Sequence, residues 1–234
     1  MMDNVNYQLA ESAAIHLKYG DSENSSIVKG LNKLKPYGYT RNIITVEEFR
    51  KTARQFAGAG QHSNIEYGGN FVTGDTKGQD QLKKYMLANT KFTDCRVYLN
   101  ANDFIMPDIA SDSLAAFQVV DHTPGEADRN GVFSLSGAMC LNGQPATFHI
   151  HMTADTLAIA AGTPNTITDS GSGFVTVGFQ AGDTIILEGV QASADDLKMV
   201  KVDTVAAGTL TLESSASLTA QMAGQAFTIH GGRF

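Results

Sequence analysis

Residues 131–152 read GVFSLSGAMCLNGQPATFHIHM, and this stretch decides the fold class. Apolar and small residues alternate over 131–141, which is the period-two pattern of a β-strand with one buried face. Asn142 and Gly143 follow, a dipeptide typical of tight hairpin turns. The alternation resumes over 146–152, which is predicted to return as the paired strand. The stretch therefore indicates an antiparallel β protein.

The residues before this stretch predict further strands and one clear helix. Strands are predicted over 92–99, 104–109 and 114–122, with Pro107 placing the second at a sheet edge because proline lacks an N–H donor. A helix is predicted over 75–89, with Asp80, Lys83 and Lys84 on its polar side. Its apolar stripe consists of Leu82, Tyr85, Met86 and Leu87.

Two weaker helices are predicted nearer the N-terminus, over 10–18 and 46–56. The second has Thr45 as N-cap and Glu48 three residues later, which is the pattern of a capping box. Most of the region between the two is punctuated by glycine and proline and is expected to be extended or looped.

The C-terminal third differs from the rest in amino-acid composition and in the spacing of its predicted strands. Residues 155–173 are rich in Ala, Gly, Ser and Thr and are predicted to form a linker or loose crossover. Five short strands are then predicted over 174–177, 183–189, 199–205, 209–212 and 226–230, which is typical of a small β-barrel or sandwich. The chain is therefore predicted to be mainly β, with two domains over 1–153 and 154–234.

Composition and charge exclude several classes of protein. The 234 residues carry a formal net charge of −7, with three basic and eight acidic residues from position 154 onward. Proteins that bind nucleic acid usually present basic faces, so this balance disfavours that role, although a mildly acidic wall would let DNA pass without binding it. Cys95 and Cys140 do not make a disulfide framework. We see no signal peptide and no apolar run of transmembrane length, which predicts folding in a cytoplasm.

The sequence offers little catalytic chemistry. His149 and His151 alternate on a predicted strand and would share one face, as in some metal sites, but no third ligand follows at a suitable spacing. We interpret them as a surface or lumen-facing pair, with a metal as the alternative. The segment 74–78, GDTKG, lacks the order of a phosphate-binding loop. We therefore predict no catalytic residues, no metal and no cofactor, and expect a protein that is not an enzyme.

A basic arm extends from Lys29 to Arg54. Its candidate residues for contact with a neighbouring subunit are Arg41, Arg50, Lys51 and Arg54. In an alternative interpretation, the last three would grip DNA phosphates while Phe49 and Phe56 stack on bases. A solvated face is the third possibility.

The order of these features resembles the tail tube proteins of long-tailed phages. The resemblance covers residues 40–153 through four segments: GNFVTGD at 69–75 leading into the helix, CRVYL at 95–99, VFSLSG at 132–137 and NGQP at 142–145. The C-terminal part is similar to small β modules of such tail proteins, through GFVTVGFQAGDTI at 173–185 and the segments 200–205, 208–212 and 223–229.

This resemblance implies a β-sandwich, flanked by a helix, that closes into hexameric rings stacked around a DNA channel. The implied partners are further copies of the chain, other tail proteins and the DNA that passes through the lumen, with no membrane. The implied location is the virion, after synthesis in the host bacterial cytoplasm. Alternatives are a head decoration, neck or tail-completion protein, and, outside phage structure, a carbohydrate-binding module or an unrecognised enzyme.

Overall fold

The structure is a computed structural model that describes residues 13–36, 39–46, 54–127 and 132–233, with the backbone course alone for 39–46 and 54–62. Its described part is mainly β and sandwich-like, as predicted, without a closed barrel. The strands before the midpoint are β1 (Ala14–Leu17), β2 (Ser26–Ile27), β3 (Leu31–Lys35), β4 (Tyr39–Val46), β5 (Arg54–His62), β6 (Ile65–Asn70), β7 (Lys91–Phe92), β8 (Arg96–Tyr98), β9 (Phe104–Pro107) and β10 (Ala116–Ala127).

The remaining elements complete two large sheets. The later strands are β11 (Phe133–Asn142), β12 (Pro145–Ala154), β13 (Leu157–Ala160), β14 (Thr166–Asp169), β15 (Thr184–Glu188), β16 (Met199–Ala206), β17 (Thr209–Leu212) and β18 (Phe227–Arg233). The helices are α1 (Gln79–Leu87) and α2 (Phe174–Val177). Five strands form one sheet in the order β3-β6-β11-β10-β7. Eleven form the other, in the order β13-β14-β17-β16-β15-β18-β12-β9-β8-β1-β2, and β4 pairs with β5 alone.

Three hydrophobic clusters fill the described structure. The first lies between the five-stranded sheet, strands β1, β8 and β9, and helix α1, and it includes Ile15, Leu82 and Met139. The second lies among β12 to β18, which make up the other half of the long sheet, and includes Phe174 and Ile229. The third, built from Phe104, Ala146, Phe148 and Ile186, covers the opposite face of the long sheet at its centre. The long sheet therefore runs without interruption past both large clusters, while the predicted division into two domains stays a prediction.

The predicted hairpin between β11 and β12 is wrong. Asn142 does end β11 and Gly143 does turn, with a φ of +82° that favours glycine. However, β11 already has β10 on one edge and β6 on the other, so neither edge is free for β12. The chain instead crosses to the long sheet, where β12 pairs with β9 and β18.

Pro107 does not mark a sheet edge. It is the last residue of β9, which lies between β8 and β12, and it stands opposite Pro145. Because both prolines sit at strand ends, their missing N–H groups interrupt no ladder in the middle of the sheet. The neighbouring strand predicted over 92–99 is in fact two strands, β7 and β8, in different sheets.

The predicted linker over 155–173 is also wrong, because it contains the antiparallel pair β13 and β14. The strand predicted over 174–177 is the short helix α2, which buries Phe174 in the second cluster. The other four C-terminal strands are present near their predicted positions as β15 to β18.

Of the predicted helices, only that over 75–89 is present, as the shorter α1. Leu82 and Tyr85 are buried as predicted, whereas Leu87 is 73% exposed at the helix end. The helix over 10–18 is wrong for its described part, since Ala14–Leu17 is a strand. The helix over 46–56 is wrong at both ends, because Val46 and Arg54 are paired across β4 and β5, and 47–53 lie outside the described residues.

Candidate functional site and assembly surfaces

A cluster of ionisable side chains, here called the ionic cluster, lies where the two halves of the long sheet meet. Its members are Tyr19, Arg96, Asp103, His151, Glu188 and His230. They come from the segment after β1, from β8, β12, β15 and β18, and from the turn before β9. Residues far apart in sequence are thus joined in one hydrogen-bonded group.

Glu188 is the acceptor at the centre of the ionic cluster. Its Oε2 accepts hydrogen bonds from Arg96 Nη2 at 3.0 Å and from His230 Nε2 at 2.9 Å. Its Oε1 accepts one from the Tyr19 hydroxyl at 2.7 Å. Together these bonds, His230 first, lower the pKa of Glu188 to about 2, against the opposing effect of burial. Glu188 is therefore a carboxylate throughout the ordinary pH range.

Arg96 is the most buried charge in the cluster, with a side chain only 2% exposed. Its guanidinium carbon lies 3.5 Å from the Tyr19 ring centroid and 4.3 Å from that of Phe104, so that both aromatic faces stabilise the cation. Its Nη1 also reaches the Tyr98 hydroxyl at 3.4 Å. A buried cation needs such favourable contacts, because removing it from water costs several kcal/mol of free energy, about as much as its ion pair gains.

The two histidines are joined through their Nδ1 atoms, which are 2.8 Å apart. Each ring also faces a carboxylate through its Nε2 atom: His230 faces Glu188 Oε2 at 2.9 Å, and His151 faces Asp103 Oδ1 at 3.2 Å. Which nitrogen carries the proton in each contact depends on the tautomers of the two rings. Burial lowers the pKa of His151, although the bond to Asp103 opposes this.

Of the two histidines predicted to share one face, only His151 belongs to the ionic cluster. A β-bulge in β12 falls between Phe148 and Ile150, where two residues oppose one on β18. It places His151 on the side of Phe148 and leaves His149 exposed, with its Nδ1 against the carbonyl oxygen of Thr147. Within the described ranges, no three His, Cys, Asp or Glu side chains are arranged to hold a metal ion.

The segment 74–78 has a structural role. Asp75 is buried and its Oδ2 accepts hydrogen bonds from the backbone N–H groups of Lys29 and Gln79. Gln79 in turn bonds the backbone at Lys29, Asn70 and Val72. These bonds fix the start of α1 against the strands on either side.

Sequence reasoning missed Arg96, Glu188 and His230 as members of a site. A signal was present, since each is an ionisable residue within a short run of strand-forming apolar residues. Such a residue is rarely buried unless it is paired, but the sequence does not reveal the partner.

The four residues predicted to contact a neighbouring subunit belong to the hairpin of β4 and β5 or to its connection. Arg41 lies in β4 opposite Gly60, and Arg54 begins β5 opposite Val46. Arg50 and Lys51 lie outside the described residues. Arg41 and Arg54 are therefore on one hairpin but well separated along it, and their role stays a prediction.

The five-stranded sheet has two open edges within the described residues. At one edge β3 pairs only with β6. At the other, β7 covers Phe117 and Gln118 of β10, and 119–127 has no described strand on the side away from β11, although helix α1 packs against β10. Unpaired strand edges are places where another chain can add.

The side of this sheet that faces away from the first cluster, here called the outer face, carries small side chains. In β11, Leu135 and Met139 point into the core, so the alternating Ser134, Ser136 and Ala138 point outward. A groove with a volume of about 420 Å³ crosses this face over Gly68, Gly69 and Gly137. The outer face therefore carries small, uncharged side chains along β11, beside this groove.

No family model matches the chain, and no curated protein matches it. The chain is similar to gene transfer agent tail structures. One match is a chain in the virion of a native gene transfer agent particle, with a TM-score of 0.43 and 15% identity, over 59% of this chain and 97% of that chain. Another is in the tail of an empty particle of that agent with C6 symmetry, at 0.42 and 16%, over 58% and 94%.

A third similar structure is the six-fold symmetrised baseplate of the anti-feeding prophage. The TM-score is 0.42 at 10% identity, over 57% of this chain and 91% of that chain. In the described part of the chain, neither helix has the length and apolarity needed to span a membrane.

Proposed function

We propose that the chain is a structural protein of a phage tail that polymerises as stacked, hexameric rings. The rings form the tube through which DNA is delivered, and the protein is located in the virion. It has no catalytic role in this proposal. Its partners are copies of itself, other tail proteins and the DNA that passes without sequence-specific binding.

The hairpin of β4 and β5 is the observation that carries this proposal. Strands of eight and nine residues pair with each other and, among the described residues, with no other sheet. An isolated two-stranded hairpin is marginally stable in water and needs a surface to pack on. A second copy in the assembly would provide that surface.

The sequence and the charge of the chain support the same function. The segments at 69–75, 95–99, 132–137 and 142–145 resemble those of tail tube proteins, and the rings and channel are what that resemblance implies. A net charge of −7 suits a wall along which a polyanion has to slide, because like charges prevent adhesion.

Negative-stain electron microscopy of the purified protein at high concentration, with its mass measured by light scattering, tests the proposal. Hollow rods or stacked rings of constant diameter are the expected result. A monomer that stays monomeric at all concentrations, and also when added to partly assembled tails, would contradict it. Binding of such a monomer to phage heads or necks would instead favour a decoration or neck protein.

A further inference from the structure

The two open edges of the five-stranded sheet run in opposite directions. Each neighbouring pair in the order β3-β6-β11-β10 is antiparallel, so three reversals separate β3 from β10. In a ring, neighbouring copies are related by rotation, and the edge of one copy meets the opposite edge of the next. With the strands set along the ring axis, β10 of one copy and β3 of the next would therefore lie antiparallel, as they do within the sheet.

Two stretches of these edges, 28–36 at β3 and 119–127 in β10, carry opposite charge, whereas β7 beside the second stretch carries Lys91. The only charged residues over 28–36 are Lys29, Lys33 and Lys35, and all three are exposed. The only charged residues over 119–127 are Asp121 and Glu126, which are also exposed.

Lys33 and Asp121 both belong to the outer face. Lys33 stands opposite Gly68 of β6, Gly68 opposite Ser136 of β11, and Ser136 opposite Thr123, two residues beyond Asp121 in β10. The edge that carries Lys29 and Lys33, here called the lysine edge, and the edge that carries Asp121 and Glu126, here called the carboxylate edge, thus present Lys33 and Asp121 on the same side of the sheet.

The free edge of β10 is poorly suited to pair with another strand through backbone hydrogen bonds alone. Two bulges interrupt its register, after Val119 and after Pro124, and Pro124 has no N–H to donate. Bulges and proline are devices that prevent indiscriminate pairing of edge strands. Recognition at this edge has to come from side chains, and the exposed carboxylates are the groups available.

We propose that the lysine edge at β3 of one copy docks on the carboxylate edge at β10 of the next, and that this pairing closes the ring. The proposal rests on the ring-forming function above and names its interface. Lys35 already pairs with Glu66 in the same chain at 2.8 Å, so Lys33 and Lys29 have the charge most available to the neighbour.

Charge reversal tests the pairing. Two variants each reverse one edge: Lys29→Glu with Lys33→Glu, and Asp121→Lys with Glu126→Lys. A third combines all four changes. The control, Asp203→Lys with Glu213→Lys, alters net charge as the second variant does, at exposed positions far along the chain. The fold of each is checked by circular dichroism, and assembly by sedimentation and electron microscopy.

Each single-edge variant is expected to remain folded and to raise the concentration needed for assembly at least about tenfold, since like charges now face each other. The control should assemble as the unchanged chain does. The four-fold variant, whose edges are again complementary, should assemble alone. A 1:1 mixture of the two single-edge variants should also assemble, because alternating copies restore every contact in an even-numbered ring.

Two results would overturn the pairing. One is assembly of both single-edge variants at the unchanged concentration, while the unchanged chain forms tubes; the tube function then stands and the interface lies elsewhere. The other is failure of both the mixture and the four-fold variant although they are folded. If the unchanged chain itself forms no ring, the proposed function fails, and with it this interface.

Discussion

Arg96 holds the ionic cluster together at the scale of single residues. It contacts Glu188 through a hydrogen bond and Tyr19 and Phe104 through their ring faces, so three separate segments meet on one side chain. Removing one member of a buried ion pair is costly because its partner keeps its charge but loses its compensation.

Replacing Arg96 by Met is therefore expected to lower the free energy of unfolding by about 2–3 kcal/mol, with the residual bonds from Tyr19 and His230 limiting the loss. The matched control is Tyr98→Phe, which removes only the long contact to Arg96 and should cost about 0.5 kcal/mol. Denaturant unfolding measures both. Equal midpoints for the two variants would show that Arg96 is not the centre of the cluster.

The ionic cluster also predicts how stability depends on pH. The pKa of Glu188 is about 2 in the folded chain and ordinary when unfolded, so its contribution is present above about 4.5 and is lost as pH falls toward 2. The pKa of His151 is lowered, so its contribution is lost over a higher window, as pH falls below about 6.5.

Unfolding free energy measured against pH should therefore decline in two steps. Partial solvent exposure of Glu188 limits its step to about 2 kcal/mol. His151→Gln should reduce the upper step without removing it, because burial also lowers the pKa values of His16 and His122. Glu188→Gln should reduce the lower step and leave the upper one unchanged. Identical profiles for the three proteins would refute this assignment.

At the scale of elements, local patterns predicted strands and the main helix well, but not their pairing. The alternation of buried and exposed residues in β11 and the apolar stripe around Leu82 depend only on residues close in sequence. Both can therefore be predicted from the sequence. The strand that pairs with β12 depends on which strand edges remain free elsewhere in the fold. A local sequence pattern does not contain this information. The bulge at His149 changes the side on which every later residue of β12 lies, and the alternation in the sequence does not reveal such a bulge. The ionic cluster was missed for the same non-local reason.

The hairpin of β4 and β5 gives the prediction at this scale. Reversing the charges of Arg50, Lys51 and Arg54 to Glu is expected to block polymerisation and leave the monomer folded, because the hairpin shares no sheet with the rest of the described chain. Light scattering checks assembly, and thermal unfolding checks the fold. Normal tubes from the folded variant would exclude these residues from the contact. A variant with Lys77→Glu, Lys83→Glu and Lys84→Glu, at exposed positions on α1 and just before it, is the charge-matched comparison.

At the scale of the whole molecule, a ring closed through both sheet edges would turn either the outer face or the far side of the long sheet toward the channel, and we expect the outer face to line it. The opposite face is covered by the first hydrophobic cluster, helix α1 and the long sheet. The small side chains of β11 and the glycine groove would then form the wall that DNA passes.

Cys140 makes this arrangement measurable. It is half-buried on the outer face opposite Gln118, whereas Cys95 is fully buried and burial raises its pKa well above the ordinary value. A maleimide carrying a long polymer should modify Cys140 in the monomer but not in intact tubes, while a small maleimide should modify it in both. Rapid modification of tubes by the large reagent would place the outer face on the exterior. Cys140→Ser is the control for reaction at Cys95.

The continuous path of the long sheet has a mechanical consequence. Strand β12 is hydrogen-bonded to β9 on one side and β18 on the other, and Phe148 and Ile150 anchor it in different clusters. A pull along this strand loads its ladders in shear, so many bonds must break together rather than one after another. The force needed to separate the C-terminal strands from the rest of the chain should therefore be high. A domain joined to the rest only by a flexible linker would separate at a much lower force.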